Sequence, residues 1–210
     1  MTRRALWLFN KLHRLYKDMI HYASILRAKE IARRMFVTNS FDGLLSSLGV
    51  VLGNYVSGTT SLHSYVGTVL GAAFSLGFFS GVVATYLSER AERIRELKRT
   101  ERAMLHSLKG TIYERAAKLV PIYVALWSGF GAIVLPMIGL TPFLVALAAG
   151  FHVQVHVLVY SSAAIMIVEL FALGAYLGRI SGENVLLSGT RMAAIGLASV
   201  IFFTLLHLAG

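Results

Sequence analysis

Asp42 stands eight residues beyond Arg34, the last basic side chain before a long apolar run, in the stretch Phe41-Asp42-Gly43-Leu44-Leu45-Ser46-Ser47-Leu48-Gly49. A carboxylate at the centre of a bilayer costs roughly 2.5–3.5 kcal/mol or more, so a chain that keeps one in apolar surroundings pairs it, hydrates it or binds something with it. Glu169 is the second such group. It lies ten residues, about 15 Å of helix, from Arg179, which places it near the middle of an apolar segment. Facing one cavity, the two acids would supply the hard oxygen ligands that divalent cations such as Mn²⁺ accept. Each has a plainer reading: Asp42 as a first-turn acid favoured by the helix dipole, Glu169 as a structural acid hydrogen-bonded to a neighbouring helix.

Other chemistry-bearing groups are weaker signals. His152 and His156 are one helical turn apart, a spacing that suits a metal, but two histidines lacking a third ligand are more often interfacial side chains. His63 and His207 could join them in space. Glu89 and Glu92, with Glu96, Glu101 and Met104, form a second possible metal patch; arginines flank nearly all of these acids, which favours a solvated, salt-bridged helix. The chain has no cysteine, which excludes disulfides and thiolate metal sites. No nucleophile–base set, phosphate loop or zinc quartet is visible. No enzymatic activity and no resident cofactor is expected.

The elements that must position these residues are apolar helices. The chain of 210 residues is 56% hydrophobic and 14% charged, with mean hydropathy +0.67. Soluble domains carry about 25% charged residues, so the composition predicts an all-α integral membrane protein. Residues 1–38 read as a basic amphipathic N-terminal helix, its apolar positions recurring every three or four residues from 4 to 36. Five transmembrane helices follow within residues 39–210, at about 41–58, 62–87, 119–140, 152–177 and 186–208. Asn39 or Ser40 is a plausible N-cap for the first. The second shows no stop signal at Ser88, and the helical pattern continues into a cytosolic helical segment, 88–118. Thr111-Ile112-Tyr113-Glu114 has capping-box spacing, and Pro136, Gly139 and Pro142 mark a bend and an outer turn. Small residues at four-residue spacing, Gly49 with Gly53, Gly67 with Gly71 and Gly77 with Gly81, predict close helix contacts.

Charge sets the expected orientation. Apart from Arg179 and Arg191, every basic side chain falls in residues 1–38 or 88–118. The positive-inside rule then puts the N-terminus in the cytosol and, with five spans, the C-terminus outside. The net charge of +10 fits contact with membrane lipid and the anionic cytoplasmic leaflet better than contact with nucleic acid. No signal peptide or organelle address is evident, so a prokaryotic cell membrane is the expected location.

At this point the sequence resembles the vacuolar iron transporter family, which includes the yeast Ccc1-type proteins. The family's first span opens with an Asp-Gly pair, here Asp42-Gly43. Its second ends in Tyr-Leu-Ser before a charged helix, here Tyr86-Leu87-Ser88-Glu89. Its fourth carries Leu-Phe-x-Leu-Gly-Ala, here Leu170 to Ala175, and a small-residue fifth span follows, here Ser188 to Gly196. The chain departs from the pattern in the second span: the family's Met and Glu before Tyr-Leu-Ser are Gly81 and Thr85 here. Its cytosolic segment is also shorter than the family's metal-binding insertion. The resemblance implies a homodimer, a path at the dimer interface, and export of Fe²⁺ or Mn²⁺ from the cytosol in exchange for protons, with Asp42 matching the family's intramembrane acid. The alternative is a non-transporting relative that serves as a dimeric membrane scaffold or partner-binding subunit.

Overall fold

The computed structural model describes residues 28–150 and 153–209. Six helices account for nearly all of them: α1 Ala28–Val56, α2 Leu62–Met104, α3 Ile112–Gly139, α4 Thr141–Ala149, α5 Val155–Ser181 and α6 Val185–Ala209. The described residues contain no strand. Five of the helices, all but α4, are long and apolar enough to cross a membrane. The all-α, five-span architecture expected from composition is the one observed. His152 and residues 1–27 of the N-terminal segment lie outside the described residues.

Three elements differ from expectation. First, α1 runs unbroken through Asn39 and Ser40, so neither residue caps a helix start. The Asn39 amide meets its hydrogen-bonding needs without ending the helix, donating to the Met35 carbonyl at 3.1 Å and to Ser128 Oγ on α3 at 2.7 Å. Ser40 is fully buried against α3. Second, the turn expected around Pro142 is itself helical. Pro136 is accommodated inside α3, which continues to Gly139, and Pro142 sits in the first turn of α4, where its missing N–H would have had no partner in any case. Third, Thr111 does cap α3, but its side chain does not accept from the helix. It donates to the Leu108 carbonyl at 2.6 Å, while Glu114 reaches back to accept from the Gly110 N–H at 2.7 Å.

Helix α2 carries the widest irregularity. Between Ser75 and Ala84 its turns loosen to five-residue hydrogen bonding, ending with the Thr85 N–H on the Ser80 carbonyl. Such widened turns are rare and appear mostly as single-turn bulges. The loosened stretch holds Gly77 and Gly81, which lie against Gly129 of α3. A Cβ on Gly81 would sit 2.7 Å from the Gly129 Cα, and one on Gly129 would sit 2.6 Å from the Gly77 carbonyl oxygen. The two backbones are therefore in direct contact, as small-residue faces permit in membranes. Among the described residues the Gly67 and Gly71 face meets nothing, and Gly49 and Gly53 meet only the ring of Phe203 of α6 at ordinary contact distance.

The core lies between α1, α2, α4 and α5. Leu44, Leu48 and Val51 pack with Val69, Phe143, Val159, Met166 and Leu170, all fully buried. Tyr65 and Phe143 stack with ring centroids 4.8 Å apart, and the Tyr65 hydroxyl is satisfied by the Thr59 carbonyl at 3.1 Å. A smaller cluster of Ala28, Ala32, Val120 and Val124 ties the start of α1 to α3. Helix α6 is peripheral: only 11% of its apolar window is buried, so most of its surface is left for lipid or for a second chain.

Candidate functional site

Asp42 and Gly43 are consecutive residues with opposite environments. Gly43 is buried against α3, so closely that a Cβ there would sit 2.8 Å from the Ala132 carbonyl oxygen and 3.1 Å from its Cα. Successive residues point about 100° apart around a helix of 3.6 residues per turn. Seating Gly43 on α3 therefore turns Asp42 away from it, onto an exposed flank of α1. Among the described residues Asp42 makes no hydrogen bond or ion pair. Its position is roughly 12 Å along the helix from Arg34, at about 1.5 Å per residue.

Glu169 has the reverse situation. Both carboxyl oxygens are enclosed, and neither has a hydrogen-bond partner among the described residues. The group lies beside Gly139 at the end of α3: a Cβ on that glycine would sit 3.4 Å from Glu169 Oε2. One turn away on the same face of α5, the fully buried Met166 side chain also contacts Gly139, and Ser162 donates to the Gly139 carbonyl at 2.6 Å. Ser162, Met166 and Glu169 thus form a line along α5 that closes over the end of α3. Buried polar groups are nearly always hydrogen-bonded, and each exception calls for an explanation such as an ion, a water or a catalytic role. No hydrogen bond joins Glu169 to Asp42, and no group of three His, Cys, Asp or Glu side chains that could hold a metal exists among the described residues.

The acidic candidates at Glu89 and Glu92 sit on the polar extension of α2. Arg93 is 8% exposed and holds Glu96 at 2.7 Å and Glu89 at 3.8 Å. Glu92 is exposed and makes no ion pair among the described residues. Glu101 caps the turn after α2 by accepting from the Leu108 N–H at 2.8 Å, and Glu114 binds Lys118 at 2.6 Å. Most acids of this segment therefore hold its own backbone and arginines in place. Arg93 thus links Glu89 and Glu96, while no ion pair joins Glu92 to Arg95 or Glu96 to Arg99 among the described residues. Near the other end of the bundle, His156 and His63 are both exposed.

One constellation was not evident from spacing alone. Ser128 of α3, fully buried, accepts from the Asn39 amide of α1 at 2.7 Å and shares a hydrogen bond with Thr85 of α2 at 3.1 Å. Thr85 Oγ1 also reaches the Ser80 carbonyl at 3.4 Å, at the point where the loosened turns of α2 end. Three helices are thereby joined through a polar string one turn from Asp42. The available signal was three polar side chains within apolar runs, two of which already had other readings: Asn39 as a cap and Thr85 as a departure from a family pattern.

A helical bundle with five helices long and apolar enough to cross a membrane, and a polar string between three of them, is the architecture of a multi-pass integral membrane protein. Residues 85–206 match the VIT family. A relative from Methanocaldococcus jannaschii, the uncharacterized protein MJ0645, is 31% identical over 176 residues, covering 82% of this chain and 86% of the relative. The chain belongs to the VIT family. No solved structure matches it. Family membership supports a membrane transporter-like role.

Proposed function

We propose that this protein is a proton-coupled exporter of Fe²⁺ or Mn²⁺, acting as a homodimer in a prokaryotic cell membrane with its N-terminus in the cytosol. The observation that supports this most is Asp42: an acid with no ion pair among the described residues, on the exposed flank of a membrane-spanning helix, locked in that direction by the seating of Gly43 on α3. Left against lipid, the carboxylate would carry the full cost of burial in hydrocarbon. A second copy meeting this flank would turn it into a water-lined cleft, where the carboxylate can receive a divalent cation. Protonation from the far side would then remove the negative charge and release the ion. Glu169, enclosed and without a hydrogen-bond partner among the described residues, is the second proton-handling acid in this scheme. A carboxylate and water set suits Mn²⁺ and, less selectively, Fe²⁺.

A second reading has one observation in its favour. Where the family carries a carboxylate, Thr85 has a hydroxyl engaged in holding α2 to α3, an arrangement that suits a scaffold as well as a path. Flux decides between them. The protein is reconstituted in liposomes enclosing a metal-sensitive dye, and a proton gradient is imposed. Fe²⁺ or Mn²⁺ flux above that of empty vesicles, and its loss in Asp42→Asn, is the expected result. Absence of flux in the unmodified protein refutes transport. Undiminished flux in Asp42→Asn refutes the role of Asp42 alone.

A further inference from the structure

The groove between the start of α1 and the end of α5 has a volume of about 450 Å³ and is lined by Glu30, Ile31, Arg33, Arg34, Val37, Thr38, Leu177 and Ile180. Its composition is graded along the helix axis. At the outer rim stand Arg33 and Arg34, both exposed, with the carboxylate of Glu30 beside them. One turn deeper, about 6 Å at 1.5 Å per residue, Val37 forms a buried floor, and Leu177 forms the opposite wall. The hydroxyl-bearing Thr38, the next residue along α1 and exposed, stands at the deeper level beside Val37. Neither arginine makes an ion pair among the described residues, although Glu30 is three and four positions away on the same helix, a spacing at which such pairs commonly form. Two guanidinium groups thus stand, without an ion pair among the described residues, at the mouth of an apolar slot.

That slot opens where the apolar spans begin. Arg34 is the last basic residue before the α1 span, and α5 ends just beyond, at Ser181, so the polar ends of two antiparallel helices lie at one level. A ligand suited to this grading has a phosphate at its head and hydrocarbon below it. Planar guanidinium groups bind phosphate oxygens through paired N–H donors, and basic pockets between membrane helices take anionic headgroups. We infer that the groove between α1 and α5 binds a single anionic phospholipid, its phosphate on Arg33 and Arg34 and its acyl chain over Val37 and Leu177. Asp42 does not line this groove, and the inference stands whether or not the protein moves metal.

Native mass spectrometry of the full chain in detergent, supplied with equal amounts of phosphatidylglycerol and phosphatidylcholine, tests it. The expected result is selective retention of phosphatidylglycerol, reduced about tenfold in the double variant R33Q/R34Q. Thr38→Trp keeps the charges and fills the slot, so it lowers retention as well. The double variant R95Q/R99Q removes equal charge from the exposed basic face of α2 beyond the apolar span and leaves retention unchanged. Three outcomes overturn the inference: retention in R33Q/R34Q equal to the unmodified protein, an equal loss in R95Q/R99Q, which means general charge attraction, or no effect of Thr38→Trp. Displacement of the lipid by millimolar inorganic phosphate also overturns it, because the slot is then a free-phosphate site.

Discussion

Replacing Gly43 with alanine isolates the contact that aims Asp42. In the interior of a helix alanine is favoured over glycine by about 1 kcal/mol, because glycine loses more backbone freedom on folding. At Gly43 that gain is opposed by a collision with backbone, not with a side chain that can swing aside: the new Cβ would lie 2.8 Å from the Ala132 carbonyl oxygen and 3.1 Å from its Cα. Relief requires α1 and α3 to move apart by several tenths of an ångström along a buried seam. Overpacking of this kind costs about 1–3 kcal/mol, and a rigid backbone partner places the cost at the upper end of that range. The net expectation is a loss of about 2 kcal/mol, or roughly 4–8 °C in melting temperature for a chain of this size. Gly67→Ala is the internal control, since a Cβ there meets nothing within the protomer. It gains the helix term without a clash and raises the melting temperature, by about 2–4 °C for the first kcal/mol. Thermal melts of both variants in one detergent give the comparison. A Gly43→Ala melt at or above that of the unmodified protein refutes the claim that the α1–α3 contact fixes the direction of Asp42. A fall in Gly67→Ala would show instead that another chain packs on that face.

Two further perturbations probe the buried polar groups. Ser128→Ala removes the hydroxyl that serves both Asn39 and Thr85, leaving two polar side chains between helices without that partner. A loss of about 1–2 kcal/mol is expected in a thermal or denaturant melt, and an unchanged melt argues that the three-helix string is dispensable. Glu169→Gln keeps the shape of a side chain that makes no hydrogen bond among the described residues. Its melt is expected to stay within about 1 kcal/mol of the unmodified protein, as for an isosteric change at a site with no partner to lose, while proton-driven flux falls. Intact flux in a well-folded Glu169→Gln would remove that acid from the transport scheme.

Much of this protein is fixed by one-dimensional pattern. Long apolar stretches with charges confined to their ends permit only helices, because in hydrocarbon every backbone polar group must be satisfied within its own segment. The five spans, the unbroken exit of α2 into a charged helix and the separation of Asp42 from the last arginine all follow from that constraint and could be read residue by residue. The family, too, was legible in short motifs such as Asp42-Gly43 and Tyr86-Leu87-Ser88. Azimuth and depth were not legible. Nothing in the spacing says that Gly43 rather than Gly49 is the glycine pressed on a neighbouring backbone, that α1 runs through Asn39 instead of starting there, or that ten residues of α2 loosen to meet Gly129. A helix sequence states which residues share a face, but not which neighbour that face meets. That choice is made when all the helices compete for the same close contacts, and it is what leaves Asp42 exposed, encloses Glu169, and brings Asn39, Ser128 and Thr85 within hydrogen-bonding distance.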